Sequence, residues 1–181
     1  MSELLKKTDS MPKLKKQGLK ILKMIHLFFV VMWIGGAIAL LTVLFFVQPE
    51  SGDELFMKSR IIQLIDDFII IPGAMGNLLI GIVYGVWTGF GFFKHHWITV
   101  KWVLTVAQIL FGTFFLGPWV NGNVKLANTL REHAFSNDVF QYNFQQSAVW
   151  GTVQMLLLLV MLILSVQKPW SRVVKRNNIG N

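Results

Sequence analysis

The chain has 181 residues and no cysteine, so disulfides, zinc–thiolate sites, thiol catalysis and covalent haem attachment through a CxxCH motif are excluded. Hydrophobic residues make up 54% of it and charged residues 14%, a balance that argues against an ordinary soluble domain. The net charge of +8 does not form a nucleic-acid patch, because thirteen of the seventeen basic residues fall in three tracts that flank apolar stretches: Lys6 to Lys23, Lys94 with Lys101, and Lys168 to Arg176.

Four apolar stretches, approximately 21–47, 68–93, 97–120 and 148–166, are long enough to cross a bilayer at about 1.5 Å per residue. The expected fold is an all-α polytopic membrane four-helix bundle, integral to the plasma or inner membrane. The positive-inside rule places both termini in the cytoplasm, with the basic arm on anionic lipid. Residues 1–19 read as a basic cytoplasmic segment, 20–168 as the transmembrane domain and 169–181 as a basic tail. The N-terminus does not read as a cleaved signal, because its apolar run is too long and lacks an Ala-x-Ala site.

The first span carries His26 about a turn and a half inside an otherwise apolar run. A titratable side chain facing lipid is costly, so the expectation is that it faces a partner, a cavity or a metal. At helical spacing Val30, Trp33 and Ala37 share its face, and Gly35 and Gly36 stand beside them, where a flat ring or another helix can approach. Gln48-Pro-Glu-Ser-Gly-Asp ends the span with turn formers. In the connection that follows, Leu55 to Ile65 has helical spacing and is expected to lie along the membrane surface.

Span two opens with Pro72, which is expected to kink or tighten its first turns. Gly81, Gly85 and Gly89 then form a small-residue ridge, beside a polar stripe of Asn77, Tyr84 and Thr88. After the turn at His95 and His96, span three carries Lys101 one turn in, with Thr105, Gln108 and Gly112 along its face. Pro118, Trp119 and residues 121–123 are expected to close the outer end, and a long, nearly neutral loop to reach Gln146. Span four has Gly151 and Gln154 early, then an aliphatic run to Ser165.

In this topology spans one and three are parallel. His26 then sits about 7 Å above the start of one, and Lys101 about 6 Å above the start of the other. Two titratable groups on different helices therefore share a depth near the cytoplasmic face. A haem between them would take His26 as an axial ligand, and Lys101 either as a second ligand in its free-amine form or as a propionate partner. Other readings stay open: His26 as a helix–helix hydrogen-bonding residue, and Lys101 snorkelling to water and phosphate.

The segment His26-Leu-Phe-Phe-Val-Val-Met-Trp-Ile-Gly-Gly resembles the first helix of HemJ-type membrane proteins and the histidine–tryptophan–glycine start of CopD-type proteins. Pro72 followed by Gly81 to Trp87 is similar to the HemJ second helix. Trp97-Ile-Thr-Val-Lys101 looks like the family's Trp-Leu-His-Val-Lys motif, with threonine for the histidine. Val166-Gln-Lys-Pro-Trp resembles its terminal Val-Lys-Pro. The chain departs from HemJ before the fourth helix, where it has Gln145-Gln-Ser-Ala-Val. The resemblance implies haem b, with the family's histidine and lysine ligands at His26 and Lys101, and a redox activity like that of protoporphyrinogen oxidase.

The candidate cofactor site is thus His26, Lys101, Trp33, Gly36, Thr105 and Gln108, with His26 and Lys101 as metal ligands. The expected function is electron transfer coupled to oxidation of a porphyrin or quinol, in a protein whose partners are the bilayer, a redox partner and further copies of itself. Two alternatives accompany it. One is CopD-like transport of copper or a small solute, suggested by Met24 and Met32 flanking His26. The other is a non-enzymatic assembly subunit that uses the glycine ridge.

Overall fold

The computed structural model describes residues 15–88 and 96–167. The basic arm, the connection with Gly89 and His95, and the basic tail lie outside these residues. Among the described residues the chain is helical throughout, with no strand: α1 (Lys16–Phe46), α2 (Gly52–Ile65), α3 (Ile71–Trp87), α4 (His96–Phe111), α5 (Gly117–Leu130) and α6 (Asp138–Gln167). A π-helical turn, Asp66–Ile70, joins α2 to α3, and a second, Gly112–Leu116, joins α4 to α5. Both pairs are therefore continuous rods. Together with α1 and α6 they give four helices long and apolar enough to cross a membrane.

The side chains support that assignment. Large apolar residues line the outside, as at Phe28, Phe68, Phe114 and Val166, and Phe46 is 81% exposed. A soluble surface would not carry so continuous an apolar coat; hydrocarbon is the solvent that accepts it.

The rods run up and down, so that Lys16, Trp87, His96 and Gln167 share one end of the bundle. At the other end the rods outrun the bundle, and α2 packs on α5 to form a helical cap. Three buried clusters climb this axis. Trp33, Ala74, Leu158 and Met161 lie within the bundle; Leu44, Ile62 and Val120 lie at the junction; Leu55, Ala127, Ala134 and Phe140 fill the cap.

The cap corrects two expectations. Leu55 to Ile65 is no separate surface helix but the first half of a rod, and most of the stretch from the expected outer end of span three to Gln146, expected to be loop, is helical. Tertiary partners account for the difference. Gln63 donates to Asn121 Oδ1 between the rods, and Asn123 Nδ2 donates to the Phe140 carbonyl at 3.3 Å, so turn-forming residues find hydrogen bonds in a helical pair. Ser51 caps α2 by accepting from the Glu54 amide at 3.3 Å, with Asp53 and Glu54 in the first turn.

The prolines behave differently from expectation as well. Pro72 offers no amide proton to the Phe68 carbonyl and its ring crowds that group. The wide π turn absorbs this: the Ile71 amide donates to Asp66 O, five residues back, and the helix continues. Pro118 repeats the device, with the Gly117 amide donating to Gly112 O.

α1 and α3 meet most closely at glycine. A Cβ on Gly73 would stand 2.7 Å from the Trp33 backbone nitrogen, and one on Gly36 would stand 2.8 Å from Ile70 Cγ1. Gly35, one residue away, faces open space. The bundle is thus sealed between Trp33 and Gly73.

Candidate functional site

His26 and Lys101 lie toward the same end of the bundle, the one that holds Lys16 and Gln167. His26 projects from α1 toward α3, where its ring meets Tyr84 edge-on, with centroids 5.8 Å apart at 80°. Its Nδ1 is buried and, among the described residues, has no hydrogen-bond partner. Lys101, on α4, is within electrostatic reach of that imidazole. Its Nζ donates to Ser165 Oγ on α6 at 2.6 Å, and Ser165 in turn donates to the Met161 carbonyl at 2.7 Å.

Thr105 and Gln108 continue the Lys101 face, as their spacing requires, but that face meets α6. Thr105 Oγ1 and Gln108 Nε2 approach Met161 Sδ at 3.7 Å and 4.0 Å. Gln154 Nε2 donates to the Gln108 carbonyl at 3.4 Å, while Gln108 Oε1 is buried with no partner among the described residues. Trp33, 4% exposed, packs from the α1 side on the cluster that contains Met161. Of the six candidate residues, His26 and Lys101 stand toward one end of the bundle on different partners, Tyr84 and Ser165. Thr105, Gln108 and Trp33 converge on Met161. Gly36 is taken up by helix packing against Ile69 and Ile70.

Sequence reasoning passed over Met161 and undervalued Ser165. Gln154, Met161 and Ser165 recur at intervals of seven and four on one helix face, a polar signal diluted by an aliphatic run and by a methionine that reads as apolar. Tyr84 stood in the polar stripe of α3, and the structure brings it to His26. His96 is exposed at the start of α4, and His133 lies in the cap, in the 3-10 turn Arg131–Ser136.

Among the described residues no group of three or more His, Cys, Asp or Glu side chains gathers to hold a metal ion. A bare cation needs such a set. A porphyrin brings four nitrogens of its own and asks the chain for only one or two ligands, and the unpartnered buried imidazole of His26 fits that demand.

Fold and composition define the class as an all-helical protein with four helices fit to span a membrane. No protein-family model, curated protein or solved structure matches the chain. The likeness to HemJ-type and CopD-type proteins therefore rests on the quoted motifs alone.

Proposed function

We propose that this is an integral membrane redox protein that holds one b-type haem at the inner-leaflet end of its bundle, with both termini cytoplasmic. The observation that carries the reading is the His26 imidazole, buried with Nδ1 unpartnered beside Lys101. A buried ring nitrogen without a hydrogen bond is unusual, and a ligand role explains it.

When bound, haem would supply one-electron chemistry, with a potential set by ligation and burial. His26 would hold the iron, its ring braced by the edge of Tyr84. Lys101 would hold a propionate. Its ammonium has three protons, Ser165 accepts one, and the others remain for a carboxylate. Trp33 and Met161 would close the floor of the site against water. A porphyrin or quinol, flat and apolar, is the electron donor that could arrive through the bilayer.

Copper transport has less support. Met24 is 63% exposed, and the Met161 thioether is occupied by Thr105 and Gln108.

The test is an absorption spectrum of detergent-purified protein expressed with ample haem. A Soret band is expected. His26→Ala should lose most of it during purification, and His133→Ala, in the cap, should keep it. Lys101→Ala should weaken retention while leaving the iron spectrum nearly unchanged; a changed spin state would make Lys101 an axial ligand instead. Absence of a Soret band, or equal haem content in the two histidine variants, overturns the proposal. A colourless protein that is stable only in a complex would favour an assembly role.

A further inference from the structure

A cavity of about 180 Å³ lies where the cap meets the bundle. Leu44 on its wall is 18 residues along α1 from His26 (44 − 26), about 27 Å at 1.5 Å per residue, so this is a separate place. Lys58 is the one charged residue in its lining. It is only 6% exposed, and its ammonium stands 5.1 Å over the ring of Phe144. Among the described residues it has no hydrogen bond or ion pair.

Among the described residues no acid lines the cavity, and three acids of the cap are engaged elsewhere. Asp53 pairs with Arg131 at 3.1 Å, Glu54 accepts from the Glu50 amide, and Glu132 accepts from the Gly52 amide. Two further groups on the cavity wall, Ser147 Oγ and Asn123 Oδ1, are buried with no partner among the described residues. The Lys58 stem is buried while its ammonium reaches the cavity, where the fold supplies one aromatic face and no counter-charge. Gln48, Ser59 and Gln141 also line the cavity, and the rest of the wall is apolar and partly aromatic, with Phe135 and Phe140 beside Phe144.

We propose that this cavity binds a small aromatic monocarboxylate. The carboxylate supplies the counter-charge that Lys58 lacks, and the Ser147 hydroxyl is a second donor to it. Asn123 Oδ1 is an acceptor for a remaining ammonium proton. An apolar cavity of about 150 Å³ holds benzene, so the volume here suits one six-membered ring with its carboxylate. The inference is independent of haem.

Benzoate, its neutral analogue benzamide, and decanoate are titrated calorimetrically into the purified full chain in detergent. Benzoate is expected to saturate one site, and benzamide to bind at least tenfold more weakly. Lys58→Met should weaken benzoate at least tenfold while keeping its helical circular dichroism; Lys58→Gln replaces it should the methionine variant not fold. His26→Ala should leave benzoate binding unchanged. Equal affinity for benzoate and benzamide in the native chain overturns the proposal whatever the variants do, as does absence of saturable binding or an unaltered Lys58→Met. Decanoate binding more tightly than benzoate overturns the aromatic assignment in favour of an acyl carboxylate drawn from the bilayer.

Discussion

Lys101 Nζ donates to Ser165 Oγ across 2.6 Å, tying α4 to α6 between residues 64 apart in sequence. The hydrogen bond holds the ammonium against α6, where otherwise its long stem could carry it to the interface. Ser165→Ala removes the acceptor and leaves the ammonium without its hydrogen bond. Hydrogen bonds to charged groups contribute about 1.5–3 kcal/mol. A loss of that size is expected in thermal stability in detergent, with Ser165→Thr close to native. If Ser165→Ala melted like the native chain, Lys101 would be reaching the interface instead.

The seam between α1 and α3 gives a paired test. A methyl group at Gly73 would meet the Trp33 backbone, which cannot rotate aside, so Gly73→Ala must push the helices apart. Overpacking of this kind costs roughly 1–3 kcal/mol. Gly35→Ala meets nothing and replaces the poorest ordinary helix former, so it should be neutral or stabilising by up to about 1 kcal/mol. Melting temperatures of the two variants should move in opposite directions or differ clearly; equal shifts would place the close contact elsewhere.

Arg131 follows the last residue of α5 with φ of 46°, the one positive φ outside glycine among the described residues. Its side chain compensates by lying 4.5 Å over the Phe56 ring, pairing with Asp53 and donating to Asn128 at 3.1 Å. Arg131→Ala keeps the unfavourable backbone and discards these contacts, an expected loss of about 1 kcal/mol from the cation–π contact and the exposed pair together. Arg131→Gly discards them too but relieves the backbone, by about 1–3 kcal/mol. Glycine should therefore be the more stable variant by chemical denaturation. An alanine variant at least as stable as the glycine one would show that the backbone there carries no strain.

Orientation is tested from outside the fold. The proposed cytoplasmic termini follow from thirteen basic residues on that side against four at the other. An enzyme active only outside the cytoplasm, fused to Asn181, should give no signal, and fused within the cap between Ser136 and Asp138 it should report. The opposite pattern would invert the molecule and move the His26 site to the outer leaflet.

The spanning helices were legible because hydropathy and a rise of about 1.5 Å per residue suffice to draw them. The same arithmetic placed His26 and Lys101 at one depth. The cap was not legible. Gly117-Pro118 and Asn121-Gly-Asn123 carry turn propensity, and only the pairing of Asn121 with Gln63 and of Asn123 with the Phe140 carbonyl makes a helix the better outcome. Met161 was hidden for the opposite reason: its thioether gathers Thr105 and Gln108, yet in sequence it is one more apolar residue. Gly36 looked open to a ring because sequence cannot say which neighbour arrives, and Ile70 does.

The two π turns have a consequence for how each rod is geared. Each wide turn adds roughly one residue to an α-helix, a slip of about 100° in angular phase. A single helical wheel drawn over Gly52–Trp87 cannot align Leu55 with Ala74, although each faces a core of its own. Cap and bundle therefore answer to separate wheels, and the π turn is the clutch between them. Removing one residue from Asp66–Ile70 would restore a single wheel without turning Leu55 from the cap, and would set the Pro72 ring against the carbonyl four residues before it.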